Sequence, residues 1–375
     1  MTTHQRTTRY VAGIDLHKRP LVMTIMDHDG TVVYHGSTQR RKQAWLAKTL
    51  APYGTDITVC VESTYNWYWV RDWCVARGIP FALGHAYYLS KLSASKHKDD
   101  DCDSRSVAHR MRLSDVPVAY ALPKDIIAVR DLCRRRLKYV RMRAGVVNHM
   151  QCVHDQYLLE ERHEELLNGP EHEIYQPVWD SLDADQQVSK YLEDLTRELE
   201  EKIARYTRRL QNRAWQLLMR IRGVGAVLAM TLLLEIGELK RFKNVQAFSS
   251  YARVVNARHD SSGKSAGRGN DRNGNPYLCY AFHELVETSR RYVPEIARVF
   301  NALKRRRGLR HAHRVLAHRW AQVIYFMLNH ETEFSLEKFV KPYRGCVSMA
   351  RHDIGLDAPA VREPLRTIGR QPASA

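Results

Sequence analysis

Four acidic residues in the first third of the chain have the types and spacing of a metal-dependent catalytic site. Asp15 ends an apolar run that starts at Val11, and Glu62 ends a second such run that starts at Ile57. Asp100 and Asp103 lie three residues apart, a spacing that places two side chains on one face of a helix. Strand ends in an α/β sheet share a rim. Carboxylates gathered there would bind a hard divalent cation, usually Mg²⁺ in a phosphoryl-transfer site.

Each acid taken alone has a simpler structural explanation. Asp15 could start a loop, Glu62 could face solvent, and the acidic run 99–103 could favour the dipole at the start of a helix. The order of strand Asp, strand Glu and helical Asp-x-x-Asp along one stretch of chain is what favours a shared site.

A second candidate for chemistry lies in the polar, glycine-rich stretch 257–275. The segment His259-Asp260-Ser261-Ser262-Gly263-Lys264 places hydroxyl groups in a flexible, basic loop. A serine there could attack a phosphate if a general base or a metal lowered its proton affinity. Ordinary turn and linker residues are the alternative interpretation.

A glycine turn, Gly223-Val224-Gly225, precedes an apolar helix and resembles a helix-hairpin-helix element. Such a turn presents backbone N–H groups to a DNA phosphate at a helix N-terminus. A plain joint between two helices is the common alternative.

The charge of the chain predicts a polyanionic partner. Its 375 residues carry a formal net charge of +18, with local clusters at 134–138 and 304–307. Counterion release favours nucleic acid as the partner, although any one basic run could be a solvated helix face. An anionic membrane is less suitable because no basic amphipathic helix with a bulky aromatic face stands out.

The sequence also indicates the cellular compartment and argues against several kinds of site. The longest apolar stretch, 226–234, is far shorter than the ~20 residues of a spanning helix. The first residues contain no secretory core, and the seven cysteines never form a Cys-x-x-Cys pair. We therefore expect a cytoplasmic protein without membrane association, disulfide scaffold or zinc ribbon.

The acids require a sheet to position them, and residues 9–115 have the pattern of one. Strands are predicted at 11–16, 21–26 and 31–34, with Asp29-Gly30 as a hairpin signal between the last two. Helix, strand, helix and strand follow at 43–50, 57–61, 67–76 and 79–83. This order indicates a mixed α/β sheet covered by helices.

Two further regions are predicted to be mainly helical. In 124–218 an apolar seam steps by three or four residues through Val188, Leu192, Leu195, Leu199, Ile203, Tyr206 and Leu210. It indicates a coiled-coil-like arm or, equally, an amphipathic helix packed within the same chain. Residues 219–345 form a basic, mainly α C-terminal domain, and 346–375 is expected to be a poorly packed tail.

Together these motifs resemble a known family. Gly13-Ile14-Asp15, Glu62-Ser63-Thr64 and Lys98-x-Asp100-x-x-Asp103-Ser104 are similar to the RuvC-like DEDD domain of bacterial insertion-sequence transposases. That family is related to the Piv-type invertases and includes bridge-RNA-guided recombinases. Ile221-x-Gly-Val-Gly, Glu235-Ile-Gly237 and Ser261-x-Gly263-Lys264 are similar to its C-terminal transposase domain.

The resemblance implies a fold, a mechanism and partners. The fold would be an RNase H/RuvC-like α/β domain, then the helical arm, then the α C-terminal domain. Asp15, Glu62, Asp100 and Asp103 would hold Mg²⁺, and a C-terminal serine would become covalently joined to donor and target DNA. A non-coding guide RNA and a dimer or tetramer assembled through the arm are also implied.

The serine is assigned by its place in the family pattern. Asn256 stands where the family usually has proline, and the fifth residue after it is Ser261, with Ser262 as the reserve. Arg253 replaces a usual glycine. The residues expected to contact nucleic acid are Gly223, Gly225, Lys264, Arg268, Arg272, Lys304, Arg305, Arg306 and Arg307.

Two rival functions fit the same residues. A RuvC-like nuclease or junction resolvase would cut with metal-activated water and would not need Ser261. A non-catalytic nucleic-acid-binding scaffold would not need Glu62. The distal Ser-x-Gly-Lys motif argues against the first and the ordered acids argue against the second.

Overall fold

The computed structural model describes residues 7–92, 100–169, 172–210, 212–255, 258–261, 264–268 and 273–343. Within these ranges the side chains of 91–92, 100–102, 210, 258–261 and 264–268 are not described. The chain divides into two compact units. The first comprises Met1–Arg209 with Leu234–Gly237, and the second comprises Leu210–Leu233 with Glu238–Ala375.

The first unit begins with a five-stranded mixed sheet of strand order β3-β2-β1-β4-β5. Its strands are β1 (Tyr10–Leu16), β2 (Leu21–Met26), β3 (Val32–Thr38), β4 (Ile57–Glu62) and β5 (Phe81–Gly84). The first three strands form an antiparallel meander, while β4 is parallel to both β1 and β5. This confirms the predicted mixed α/β sheet, although β3 extends four residues beyond its predicted end at Tyr34.

Helices cover both faces of this sheet. They are α1 (Lys42–Leu50), α2 (Tyr68–Val75), α3 (Ala86–Leu92) and α4 (Asp100–Arg112). One face of the sheet packs against α1 and α2 through a core that includes Ile14, Leu46 and Val70. The other face packs against α4 in a second core that includes Cys60 and Ala108. Because β1 is buried on both faces, it is a continuous apolar run rather than an alternating one.

Three long helices complete the first unit: α5 (Lys124–Tyr157), α6 (Leu159–Asn168) and α7 (His172–Thr207). Ion pairs show that α5 and α7 are antiparallel, because partner numbers rise on one helix as they fall on the other. These pairs are Arg136–Glu200, Arg143–Glu193 and His149–Asp185. Helix α7 therefore packs on a helix of its own chain, as in the second interpretation of the seam.

The buried stripe of α7 differs from the predicted seam at both ends. Val188 and Tyr206 are 46% and 51% exposed, whereas the next residues, Ser189 and Thr207, are buried. Thr207 can occupy this position because its hydroxyl donates to the carbonyl of Ala204 in the same helix. A seam drawn from apolar residues alone cannot include such hydroxyl residues.

The second unit is mainly helical, as predicted. Its helices are α8 (Arg213–Met219), α9 (Ala226–Ile236, whose last residues belong to the first unit), α10 (Val245–Tyr251), α11 (Pro276–Tyr292), α12 (Pro294–Arg307), α13 (Leu309–His330) and α14 (Leu336–Val340). Its core contains large aromatic side chains, including Phe248, Phe282 and Trp320. The indole of Trp320 donates a hydrogen bond to Ser289.

The stretch expected to be a flexible loop contains regular structure. Strands β6 (Arg258–Ser261) and β7 (Lys264–Arg268) form an antiparallel pair in which Ser261 is paired with Lys264. Two residues separate these strands in sequence, and we refer to the paired strands as the β6–β7 hairpin. The expectation for the tail 346–375 lies outside the described residues. None of the described helices has the length and apolarity required to cross a bilayer.

Candidate active site

Two of the predicted acids lie side by side at the edge of the first sheet. In the parallel pair of β1 and β4, Ile14 is opposite Val61, so Asp15 and Glu62 are the next residues on the two strands. Neighbouring strands are about 4.8 Å apart. Asp15 is 8% exposed and Glu62 is half-buried. Two carboxylates this close repel each other unless a cation or a proton offsets their charge.

Helix α4 covers the same face of the sheet. A Cβ atom added at Gly13 would lie 2.4 Å from both Ser104 O and Ala108 N. The hydroxyls of Thr24 and Ser104, both fully buried, are hydrogen-bonded at 2.9 Å. Because alternate residues of a strand share a face, Asp15 faces the same side as Gly13. The first turns of α4 therefore lie over the face that carries Asp15.

The remaining two acids are on α4. Asp103 is half-buried and directly precedes Ser104. Asp100 is the first residue of α4, and its side chain lies outside the described residues. Among the side chains that are described, no three of the His, Cys, Asp and Glu type form a group able to hold a metal ion. The metal site formed by all four acids therefore stays a prediction. Two of these acids, Asp15 and Glu62, lie on adjacent strands in the structure.

A histidine that the sequence reasoning missed contacts the first acid. Nε2 of His17 donates a hydrogen bond to Oδ2 of Asp15 over 2.9 Å. The loop that carries His17 is held from two directions, since Lys42 Nζ and Asn66 Nδ2 donate to the His17 carbonyl over 3.0 and 3.3 Å. Burial of the ammonium group lowers the pKa of Lys42. The sequence feature that could have predicted this contact is the position of His17, two residues after the aspartate at the end of β1.

The cysteine at this edge is chemically quiet. Cys60 is fully buried two residues before Glu62. Burial, with a smaller contribution from the Glu62 carboxylate, raises the pKa of its thiol to about 12. A thiol that stays protonated at neutral pH is neither a nucleophile nor a metal ligand. The Cys60 thiol is therefore excluded as a donor, and the predicted metal donors at this edge are the carboxylate oxygens of Asp15 and Glu62.

The predicted serine belongs to the second unit. Ser261 is the last residue of β6, while Lys264 and Arg268 begin and end β7. The side chains of these three residues, together with Ser262 and Arg272, lie outside the described part. The structure thus gives the backbone position of Ser261, at the end of β6, and the role of Ser261 as nucleophile stays a prediction.

The base of this hairpin is fixed on both sides. Asn275 donates from its backbone N–H to Tyr251 O over 2.6 Å and from its side chain to the Tyr251 hydroxyl over 3.2 Å. Arg253 Nε donates to Asn273 O over 3.0 Å. Gly274 has φ +98°, and a Cβ atom there would lie 2.5 Å from Tyr251 O. These contacts join the chain before β6 to the chain after β7.

The other predicted nucleic-acid contacts have mixed environments. Gly223 has φ +92°, and an added Cβ would lie 2.9 Å from Thr288 O, so this glycine permits close packing on α11. A Cβ added at Gly225 would meet nothing within 4 Å. The four basic residues 304–307 are all exposed at the end of α12.

The basic cluster on α5 is partly neutralised within the fold. Arg134 forms two hydrogen bonds of 2.7 Å with the carboxylate of Glu235, whose side chain is 2% exposed. Arg136 pairs with Glu200. Two of the arginines in the run 134–138 are thus bound to acids of the same unit, whereas Arg135 and Lys138 are exposed.

Comparison with known proteins agrees with these features. Residues 12–159 match a family described as a DEDD transposase of the IS110 type, and residues 215–301 match the transposase IS116/IS110/IS902 family. The chain is also 22% identical over 341 residues to the transposase for insertion sequence element IS1111A of Coxiella burnetii, covering 86% of this chain and 91% of the relative. One family match falls on the acidic sheet edge and the other on the unit that carries the hairpin. Both matched regions are those of IS110/IS116-type DEDD transposases and together they span most of the chain, which identifies an enzyme that cleaves and rejoins DNA.

Proposed function

We propose that this transposase breaks DNA strands at the sheet edge where Asp15, Glu62, Asp100 and Asp103 hold a divalent cation, with Mg²⁺ as the metal. The observation that carries the proposal is the adjacency of Asp15 and Glu62 on parallel strands, under the helix that bears the other two acids. All four donors are carboxylates, the ligands that hard divalent cations prefer. A cation held there would neutralise charge that develops on the scissile phosphate.

The residues around the acids have supporting roles. His17 holds one oxygen of Asp15, so the carboxylate keeps a fixed orientation. The buried Thr24–Ser104 hydrogen bond fixes the turn of α4 next to Asp103. The contact at Gly13 sets the distance between that helix and β1. These interactions position the acids before DNA arrives, which lowers the cost of organising the site during the reaction.

For the nucleophile we propose the hydroxyl of Ser261, with Ser262 as the reserve. The attack would form a phosphoserine bond to one DNA end and release the other end as a free 3′ hydroxyl. A serine hydroxyl attacks poorly at neutral pH unless a base or a cation activates it. The proposal therefore requires the hairpin of the second unit to meet the acids of the first, within one chain or between chains of an oligomer.

Water is the second candidate nucleophile. The match of residues 12–159 to the DEDD family supports a metal site at the acids, and a cation held there could activate water without a protein nucleophile. The two mechanisms differ in a single product. Serine attack leaves DNA bound covalently to the protein, whereas attack by water leaves only free ends.

We further propose that a non-coding guide RNA determines which DNA sites are cut. The protein would act as a dimer or tetramer. Base pairing would then select donor and target sites, so that the side chains need not encode a sequence. The exposed basic residues at 304–307 and the net charge of +18 supply the electrostatic attraction that such complexes need. RNA recovered with the purified protein, and encoded beside its gene, would support this part.

The test uses a supercoiled plasmid that carries the ends of the element. Asp15→Asn and Glu62→Gln should abolish strand breakage, and Ser261→Ala should abolish the covalent adduct detected in denaturing gels. Ser262→Ala is the matched control and should retain adduct formation. If Asp15→Asn cuts at the parent rate, the metal site is wrong. If Ser261→Ala still cuts while no variant yields an adduct, water is the nucleophile.

A further inference from the structure

We infer that a pocket beside the acidic edge binds one nucleotide of the single-stranded DNA that leads to the scissile phosphate. The pocket is lined by Arg41, Lys42, Gln43, Ala44 and Trp69 and has a volume of about 290 Å³. This is close to the lower end of ligand-sized pockets, roughly 300 Å³. The inference rests on the proposed function for the identity of the strand, but its binding test does not.

The pocket combines the two chemistries that recognise a nucleotide. Trp69 is half-buried and contributes an indole wall, and base–aromatic stacking is tolerant of sequence because every base has a π-face. Arg41 is exposed, and no hydrogen bond or ion pair of its guanidinium occurs among the described side chains. An unneutralised guanidinium is suited to a phosphate group. Inorganic phosphate alone would leave the indole wall unused.

The backbone beside the pocket adds to its anion affinity. Helix α1 begins at Lys42, and its N-cap residue Arg41 makes no side-chain capping bond. The first N–H groups of a helix have no partner within the helix. Arg41 also has φ 47° and ψ 43°, a left-handed conformation that is uncommon for a residue with a side chain. That conformation places a cation at the start of the helix at some cost in strain.

The pocket is tied to the candidate active site by direct contacts. Lys42, which lines it, donates to the carbonyls of His17 and Lys18, the second and third residues after Asp15. Trp69 lies on α2, the helix that follows the strand ending at Glu62. The loop between them carries Tyr65, which is 72% exposed and offers a second ring to the strand. A strand with its scissile phosphate at the acids would therefore have a neighbouring nucleotide within reach of the pocket.

The test measures binding of a fluorescently labelled single-stranded DNA oligonucleotide to the full chain by anisotropy, in EDTA so that no metal-dependent cutting occurs. Trp69→Leu, which keeps an apolar side chain but removes the π-face, should weaken binding about tenfold. Arg41→Ala should weaken binding and lower the slope of log K against log salt by about 0.7, the value for one phosphate of a single strand. The matched control is Arg40→Ala, which removes the same charge from the exposed neighbouring residue outside the pocket and should change affinity less than about twofold.

Several results would overturn the inference. The first two are an equal loss of affinity in Arg40→Ala and Arg41→Ala, and an unchanged affinity in Trp69→Leu. A third is competition by inorganic phosphate that is as effective as competition by a deoxynucleoside monophosphate. The last is a loss of affinity in the pocket variants for RNA oligonucleotides but not for DNA oligonucleotides. If Trp69→Leu melts at a lower temperature than the parent, Trp69→Phe decides, since it keeps a weaker stacking ring and should lose less affinity than Trp69→Leu. Asp15→Asn removes a carboxylate and leaves the pocket intact, so in EDTA it should bind the oligonucleotide at least as tightly as the parent. If Asp15→Asn cuts the plasmid at the parent rate, the proposed metal site fails and the pocket result stands.

Discussion

Replacement of Gly13 by alanine should damage both the stability and the activity of the enzyme. The added Cβ would lie 2.4 Å from backbone atoms of Ser104 and Ala108, whereas ordinary contacts begin at 3.4 Å. Backbone of a packed helix cannot rotate away as a side chain can, so α4 must move by about 1 Å from β1. Overpacking of this kind costs about 1–3 kcal/mol. Loss of the buried Thr24–Ser104 hydrogen bond adds about 1 kcal/mol.

The same movement should affect the reaction. Asp103 is carried by α4, so its carboxylate would shift relative to Asp15 on β1. A misplacement of about 1 Å in a catalytic group costs on the order of 100-fold in rate. We therefore expect Gly13→Ala to lower the free energy of unfolding by about 2–4 kcal/mol and to slow strand breakage by about two orders of magnitude.

The assay pairs denaturant unfolding with plasmid cleavage at several Mg²⁺ concentrations. The control is Gly145→Ala, the same change inside α5, where an added Cβ meets nothing within 4 Å. It should stabilise the protein by up to about 1 kcal/mol, because alanine is the better helix former, and leave cleavage unchanged. A Gly13→Ala enzyme that unfolds and cuts like the parent would refute the packing of α4 on β1 and the placement of Asp103 that depends on it.

Three further predictions concern other parts of the two units. Arg134→Met should destabilise the first unit by about 3 kcal/mol in denaturant unfolding, because it removes the arginine that donates two hydrogen bonds to the buried Glu235 carboxylate. The double variant Arg134→Met/Glu235→Leu should recover most of that loss. A double variant that recovers nothing would contradict the pairing. Asn275→Ala removes the side chain that accepts from two N–H groups at the start of α11, so the second unit should lose about 1–2 kcal/mol, and an unchanged melting temperature would argue against this cap. Burial, together with nearby cationic groups, lowers the pKa of His283, so its contribution to stability is present above the ordinary histidine value of about 6.5 and is lost as the pH falls through the lowered pKa. In the parent, the melting temperature should therefore decrease as the pH drops below about 6.5, and the decrease should be smaller in His283→Gln. His330 is exposed, so the control variant His330→Gln should follow the parent.

The sheet, and the placement of Asp15 and Glu62 at the ends of two of its strands, could be predicted from the local sequence pattern. Strand β1 is apolar along its length since both faces are covered, and Asp15 interrupts that run only at its end. Burying a carboxylate at such a place is costly unless a partner offsets its charge, which is why it marks a candidate site. The close approach of α4 at Gly13 was not predictable, because it depends on which helix, distant in sequence, covers that face.

Elsewhere the sequence pattern left choices that only packing decides. The apolar seam of α7 allowed a partner in the same chain or in another, and the ion pairs with α5 select the same chain. Basic residues of α5 had the composition of a nucleic-acid surface, yet Arg134 is bound to Glu235, which lies about 100 positions away in sequence. The contact of His17 with Asp15 depends on the course of the loop after β1. The assignments of Ser261 and of the metal stay predictions.

One residue at the base of the β6–β7 hairpin has a consequence for how this family varies. Arg253 has φ 56°, a conformation in which glycine is relaxed and other residues are strained, yet its guanidinium ties the incoming chain to the carbonyl of Asn273. A glycine there would relieve the strain and remove the tether in one step. Because the acceptor is a backbone carbonyl, the tether depends on the side chain at position 253 and places no demand on the side chain at position 273.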